Sequence, residues 1–336
     1  MADAGSNADN VWKAVGEALD GQGWRWRVVA VERLAEAAGR VATALTEADQ
    51  NPGGADSDGE LLVAARAELP EGRPGARSIV VGALAQPLTQ ASLRVDGTEH
   101  VVRIPPHYAS YYKAPRHFSA LVSEALAPFG YRSAEARMPL KTLAAGSGLA
   151  LFGRNNIAYV PGLGSYLSLA ACATEAAPPT DAQWGEPGLL TACLRCFACA
   201  RICPTGAITG ETFLIRHDLC LTMINESDEP FPAWVRPEWH TCAVGCLECQ
   251  RVCPQNWHLG PIVAEPVPFD ETETAAILSG DDAALAGLAA SRDDFAPRRE
   301  ACGLDYESGP MARNLRALLA RRDDGAATGA ARRGQA

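Results

Sequence analysis

Two cysteine runs stand in the second half of the chain. Cys193-x2-Cys196-x2-Cys199-x3-Cys203 is followed by Pro204, and Cys242-x3-Cys246-x2-Cys249-x3-Cys253 by Pro254. Thiolate sulfur is the ligand that holds [4Fe–4S] cubes. In a C-x2-C-x2-C-x3-C-P run, three cysteines face one cube and the fourth reaches its neighbour. The doubled run therefore predicts two cubes and electron transfer. Crossed pairing groups Cys193, Cys196 and Cys199 with Cys253, and places Cys203, Cys246 and Cys249 together. The last ligand is open at this point. It is Cys242, with an x3 gap where x2 is usual, or the isolated Cys220 in His217-Asp-Leu-Cys-Leu-Thr222.

Zinc is the main rival, but a structural zinc site uses two ligand pairs, and a triple cysteine loop closed by Cys-Pro is the iron–sulfur pattern. Disulfides do not suit a long chain whose cysteines are spaced as metal ligands. Cys172 and Cys302 stand outside the runs and read as small buried apolar residues. His217 and His240 lie near the runs, and with enough cysteines present neither is needed on iron.

The formal net charge of −10 lacks the basic footprint of nucleic-acid binding, so nucleic acid is not an expected partner. No apolar run of ~18 residues is present, so no membrane span is expected. The opening Met-Ala-Asp-Ala-Gly-Ser-Asn-Ala-Asp-Asn has neither a basic nor an apolar stretch, and a cytoplasmic location is expected.

The elements that must position the cysteines are legible from periodicity and turn residues. Residues 1–10 read as a flexible N-terminus. Trp12 to Asp20, Ala30 to Thr46 and Phe118 to Phe129 read as helices, with an acidic Gly/Pro loop over 47–59. Ser78 to Ala85 suits a buried strand. Ile157 to Val160 and Tyr166 to Ala170 read as strands flanking the turn Pro161-Gly-Leu-Gly-Ser165. The fold class is α+β: a mixed α/β domain over 11–180, a linker over 178–187 and a double-cluster domain over 188–260. A helical C-terminal segment over 261–322, broken near 280, and a disordered tail over 323–336 follow.

Pro105-Pro-His-Tyr-Ala-Ser-Tyr-Tyr-Lys113 concentrates His107, Tyr108, Tyr111 and Tyr112. Such residues can stack on a flat ligand and donate protons, which makes His107 and Tyr108 candidate catalytic groups and Tyr111 and Tyr112 candidate cofactor contacts. Gly148, Gly153 and Gly164 could cradle a phosphate or a ring edge, and Arg154 could meet an anion. No G-x-G-x-x-G or P-loop is complete.

Gly148-Leu-Ala-Leu-Phe-Gly-Arg-Asn155, the first cysteine run, the lone Cys220 and Gly245-Cys-Leu-Glu-Cys-Gln-Arg-Val-Cys-Pro254 together resemble epoxyqueuosine reductase. That is a cobalamin-dependent, double-cluster family related to the catalytic half of reductive dehalogenases. The resemblance covers residues 75–260. It implies that Cys220 joins Cys203, Cys246 and Cys249 on the second cube, leaving Cys242 beside it. It implies a nitroreductase-like α/β domain, a bacterial ferredoxin-like double [4Fe–4S] domain and a bound cobalamin. An external donor such as ferredoxin or flavodoxin would supply electrons for reducing a small-molecule or nucleoside-like substrate. The family's catalytic Asp is replaced by Ala134, and Glu135 beside it is the candidate acid. The alternatives are a ferredoxin-like electron carrier with no corrinoid of its own, and a corrinoid-reactivating reductase.

Overall fold

The computed structural model describes residues 3–49, 75–135, 138–209, 214–259 and 263–331. Its first half is built on a four-stranded antiparallel sheet, β1 (Arg25–Ala30), β2 (Ser78–Ala85), β8 (Leu167–Thr174) and β5 (Ser133–Glu135), in that spatial order. Successive side chains on a strand point to opposite faces. Ile79, Val81 and Ala83 of β2 enter one core with Leu34 and Ala37 of helix α2 (Arg33–Asp49) and Leu143 and Ala144 of α4 (Leu140–Gly146). Val80 enters the opposite core with Val11, Val15 and Leu19 of α1 (Asp3–Asp20) and Phe118, Val122 and Leu126 of α3 (Lys113–Leu126). A central strand covered on both faces reads as a continuous apolar run, which is why Ser78 to Ala85 stood out.

The second core ignores the division of the chain by sequence. β3 (Thr89–Val95) and β4 (Thr98–Ile104) form a hairpin, and β9 (Val267–Phe269) adds to β3 in parallel. Leu93, Val102 and Ile104 of that hairpin are buried with Phe269, Phe295, Met311 and Leu315. These last come from β9 and the helices α11 (Phe295–Cys302) and α12 (Ser308–Ala331). The C-terminal segment thus completes a core begun by residues 89–108, and it carries a strand as well as helices. Helix α9 (Glu271–Ser279) starts on a capping box between Asp270 and Glu273 and stops at Gly280 in the left-handed region, followed by α10 (Asp282–Ser291).

Several expectations change. The N-terminus is helical from Asp3, and the buried Val11, Trp12 and Val15 anchor the helix on the sheet. Helix α12 continues to Ala331 through an alanine-rich stretch of high helix propensity, where a disordered tail was expected. Helix α2 starts later than expected, because Arg25–Ala30 is an edge strand. The acidic loop over 47–59 lies largely outside the described residues. The two strands around Pro161–Ser165 are not partners. β7 (Ala158–Tyr159) pairs back with β6 (Leu151–Phe152), while the second strand extends to Thr174 as β8 in the main sheet. Pro178 to Pro187 is pinned rather than free. Arg40 stacks on Trp184 at 5.1 Å, and Gly185 N donates to Gly146 O at 2.9 Å. Among the described residues no helix is long and apolar enough to cross a membrane.

Gly82 on β2 lies beneath Phe118, and a Cβ there would come within 2.3 Å of the buried ring. Gly82→Val should therefore lower the unfolding free energy by about 1–3 kcal/mol through overpacking. A lowered urea midpoint at unchanged m-value checks this.

Candidate metal centre

The cysteine region has little apolar core and is held by two short pieces of the α/β domain. The first is the β6–β7 hairpin. Phe152 N donates to Gly188 O at 2.8 Å and Leu190 N donates to Phe152 O at 2.8 Å, so the chain enters the region as an added edge. In the hairpin turn, Arg154 donates from Nη2 to Cys193 O at 2.5 Å and from Nε to Cys196 O at 3.2 Å. Its guanidinium stacks on Phe197 at 4.0 Å. Gly153 permits this turn, since a Cβ would come within 2.5 Å of both Asn155 Oδ1 and the Tyr159 ring.

The second anchor is the turn Gly164-Ser165. Ser165 N donates to Asn256 Oδ1 at 2.9 Å, Ser165 Oγ donates to Gln250 Oε1 at 2.9 Å, and Asn256 Nδ2 donates to Gln250 O at 2.8 Å. Gly164 has φ +63°, and a Cβ would come within 2.4 Å of Asn256 Oδ1. Gln250 lies in the second run's helix, α7 (Glu248–Arg251), and Asn256 in α8 (Pro254–Trp257).

These anchors gather the thiols in two sets. Cys193, Cys196, Cys199 and Cys253 lie within electrostatic reach of one another. Cys220 and Cys249 each face Cys203, and Cys246 faces Cys249 and Cys220. Cys249 also reaches Cys199, which brings the sets close together. Cys242 is fully buried, adjoins Cys246 and contacts the Thr241 hydroxyl at 3.8 Å. Among the described residues no three His, Cys, Asp or Glu side chains close on a single ion. Asn155 and Tyr159 link the sets. Asn155 bonds the Cys249 sulfur and donates from Nδ2 to the Tyr159 hydroxyl at 3.1 Å, and that hydroxyl bonds the Cys253 sulfur.

A cavity of about 400 Å³, partly open to solvent, lies against the second set. Cys203, Cys220, Cys246 and Cys249 line it together with His107, Tyr108, Lys141, His217 and Glu226, and Ile157, Leu167 and Met223 are among its apolar walls. Tyr108 donates its hydroxyl to Glu226 Oε1, and burial followed by the Glu226 charge holds its pKa well above the ordinary value. Gly245, at φ +62°, leaves room for the Tyr108 ring. Lys141 donates to Asn156 Oδ1 at 3.0 Å and Asn156 O at 3.1 Å, and the protein around it lowers its pKa. His107 and Lys141 expose their surfaces to the cavity, which is itself partly open to solvent. Burial, then the Lys141 charge, lowers the pKa of His107 to about 4, so its ring is neutral at neutral pH. Burial, then Lys141, also lowers that of His217.

Of the residues singled out in the sequence, His107 and Tyr108 reach the cavity. Tyr111 and Tyr112 do not line it. Their rings meet at 5.0 Å, and Tyr111 packs edge-on to Tyr306, also at 5.0 Å. Gly148, Gly153 and Gly164 are turn and close-approach positions, and Arg154 grips backbone carbonyls; none of the four lines the cavity. Glu135 is exposed on the sheet edge, paired across from Cys172, and does not line the cavity. Cys172 and Cys302 are buried, as expected. His240 is buried against Phe231 at 4.5 Å. Lys141, Glu226, Asn155 and Tyr159 were not singled out. A lysine inside the otherwise apolar Leu140-Lys-Thr-Leu-Ala144 was the available signal for the first.

Residues 192–256 match the 4Fe–4S double cluster binding domain family. No curated protein matches the chain in sequence. Solved structures share its fold over most of both chains. A selenomethionine-labelled epoxyqueuosine reductase superposes with TM-score 0.64 at 19% identity, covering 95% of this chain and 84% of that one. The Streptococcus thermophilus epoxyqueuosine reductase gives 0.61 at 16%, covering 93% and 81%. The Bacillus subtilis enzyme, with its catalytic aspartate loop swung out of the active site, gives 0.58 at 19%, covering 93% and 82%. The chain is thus a mixed α+β protein with the epoxyqueuosine reductase fold and a double-cluster domain.

Two outcomes follow from this geometry. Arg154→Ala should free the first cysteine loop, and limited trypsin digestion should then cut at Arg195 or Arg201 severalfold faster than in the unaltered chain. The lowered pKa of His107 means that below the unfolded value of ~6.5 the unfolded chain binds a proton the native state lacks. Stability should fall as pH drops from ~6.5 towards 4, and His107→Gln should flatten that slope in guanidinium midpoints measured across the range.

Proposed function

We propose that the chain is an iron–sulfur reductase that passes electrons through two [4Fe–4S] clusters to an acceptor in the cavity. The observation that carries this reading is that one cavity is lined both by the four thiols of the second set and by Tyr108, Glu226, Lys141 and His107. The residues fit the clusters: Cys193, Cys196, Cys199 and Cys253 would hold one, and Cys203, Cys220, Cys246 and Cys249 the other. All four thiols of the second set line the cavity and Cys242 does not, which favours Cys220. When bound, the clusters supply single electrons at the cavity wall.

The protein's own groups handle position and protons. Tyr108, tied to Glu226, is a poor acid but a firm hydrogen-bond donor, so its role is to orient the acceptor. Lys141 has the lowered pKa of a better proton donor and carries the positive charge that a developing anion needs. Neutral His107 can accept or donate a hydrogen bond beside it. Glu135 faces away, so Lys141 takes the acid's place in this reading.

The enclosed volume suits a small or nucleoside-sized acceptor. The second cluster, whose four thiols line the cavity, would take part of this space, and a corrin would meet it across the open side. Cobalamin is the acceptor that the resemblance points to.

Anaerobic reconstitution with iron and sulfide tests the reading. The iron of two cubes and a reduced-cluster EPR signal are expected, and a zinc-only protein would sink it. Added cob(II)alamin is expected to bind and change its EPR spectrum; no uptake would leave the substrate itself as the acceptor. Cys220→Ala should lose one cube and Cys242→Ala neither. Hydrogen bonds to cluster sulfur favour the more negative, reduced state. Tyr159→Phe should therefore lower one cluster's potential on the order of 40 mV, the one-electron equivalent of ~1 kcal/mol, in an EPR-monitored redox titration.

A further inference from the structure

The two thiol sets differ in what covers them. The second lines the cavity, and dense protein surrounds Cys220, Cys246 and Cys249. The first set lines no part of the cavity, and less protein surrounds Cys193 and Cys199. Its loop instead displays large apolar side chains to solvent. Leu194 is 64% exposed, Phe197 39% and Ile202 37%. Phe197 and Ile202 flank the one-turn helix α5 (Ala198–Ile202), and Leu194 sits in the preceding turn Thr191–Leu194, so the three belong to one short loop-and-helix surface. Isolated exposed apolar residues need no explanation, but several together around one loop mark a contact surface.

Charge narrows the partner. The chain has a net charge of −10, yet residues 187–210 contain no Asp or Glu and carry Arg195 and Arg201. Both arginines are exposed, and Arg201 N donates to Phe197 O at 3.0 Å, which places it one turn beyond that ring. An apolar centre with a positive rim selects an acidic surface on its partner and disfavours face-to-face pairing with a second copy, which would bring the like-charged rims together.

We propose that Leu194, Arg195, Phe197, Arg201 and Ile202 form the docking face for an acidic one-electron carrier protein, which delivers electrons to the cluster held by the first thiol set. The proposal rests on the reductase reading and adds a direction to it: electrons enter at the exposed set and leave at the cavity set. In each transfer the carrier is oxidised by one electron and the first cluster is reduced by one. No bond is made or broken, and no proton is needed at this surface. Arg154 has a second effect here. By fixing the carbonyls of Cys193 and Cys196 and stacking on Phe197, it holds the face in shape from behind.

The test uses the reconstituted full chain, a reduced acidic [2Fe–2S] ferredoxin and, as a small carrier that needs no docking face, the methyl viologen radical. The ferredoxin should reduce the chain at a rate that falls steeply with ionic strength. Arg195→Glu with Arg201→Glu should cut that rate and the calorimetric affinity by about tenfold or more, while the rate with the cationic viologen radical does not fall. Arg195→Gln with Arg201→Gln should move both in the same direction by less. A ferredoxin rate that is indifferent to salt and to charge reversal would overturn the proposal. So would light scattering showing the face closed by a second copy of the chain, released by charge reversal. A chain whose clusters assemble but take no electron even from viologen would bring down the reductase reading itself.

Discussion

The cysteine region cannot fold around an apolar interior of its own, so its shape depends on what grips it from outside. Arg154 is the central grip. One planar guanidinium spans the carbonyls of Cys193 and Cys196 and stacks on Phe197, the residue that follows them. Its fork geometry fixes direction as well as distance, which a lysine's point charge would not. The turn that presents it needs a glycine at 153, because Asn155 and Tyr159 fill the space a side chain would occupy. One hairpin therefore holds the loop, links the two thiol sets through Asn155 and Tyr159, and contributes Asn155, Asn156 and Ile157 to the cavity wall.

The buried polar groups around the cavity serve each other before they serve a ligand. Asn225 donates to Gly245 O at 2.8 Å and accepts at its own carbonyl from Asn314 at 2.8 Å, which fixes the strained glycine under the Tyr108 ring. Lys141 is steered by the Asn156 side chain and carbonyl, and Asn156 itself sits at φ +58°, a conformation asparagine tolerates better than most residues. Such networks set direction, although among the described residues the side-chain oxygens of Asn225 and Asn155 stay unpaired within them.

The sequence made legible whatever is encoded within a few residues. Ser78 to Ala85 is a strand over the expected range, the cysteine runs match a double-cluster family, and the break near 280 is a glycine cap between two helices. What remained hidden depends on distant partners. The tyrosines at 111 and 112 looked like ligand contacts until Tyr306 arrived to pack on Tyr111. Gly164 and Arg154 looked like anion contacts, but Asn256 and the Cys193 carbonyl take those places. Glu135 was placed by its neighbourhood in the chain, whereas strand pairing with Cys172 turned it to the edge. Glu226 carries no local pattern and Lys141 only its place in an apolar stretch, because the cavity that unites them is assembled from segments far apart in the chain.

The parallel strand at Val267–Phe269 has a consequence for synthesis. The hairpin at Thr89–Ile104 buries Leu93, Val102 and Ile104 against residues as late as Leu319, so its inner face stays uncovered while more than half of the chain is still being made. The cysteine loops emerge during that interval, ahead of the segment that closes the molecule behind them. Order of emergence on the ribosome thus leaves a window in which the thiols are present and the fold is not yet shut, and metal assembly before closure would meet the fewest obstacles.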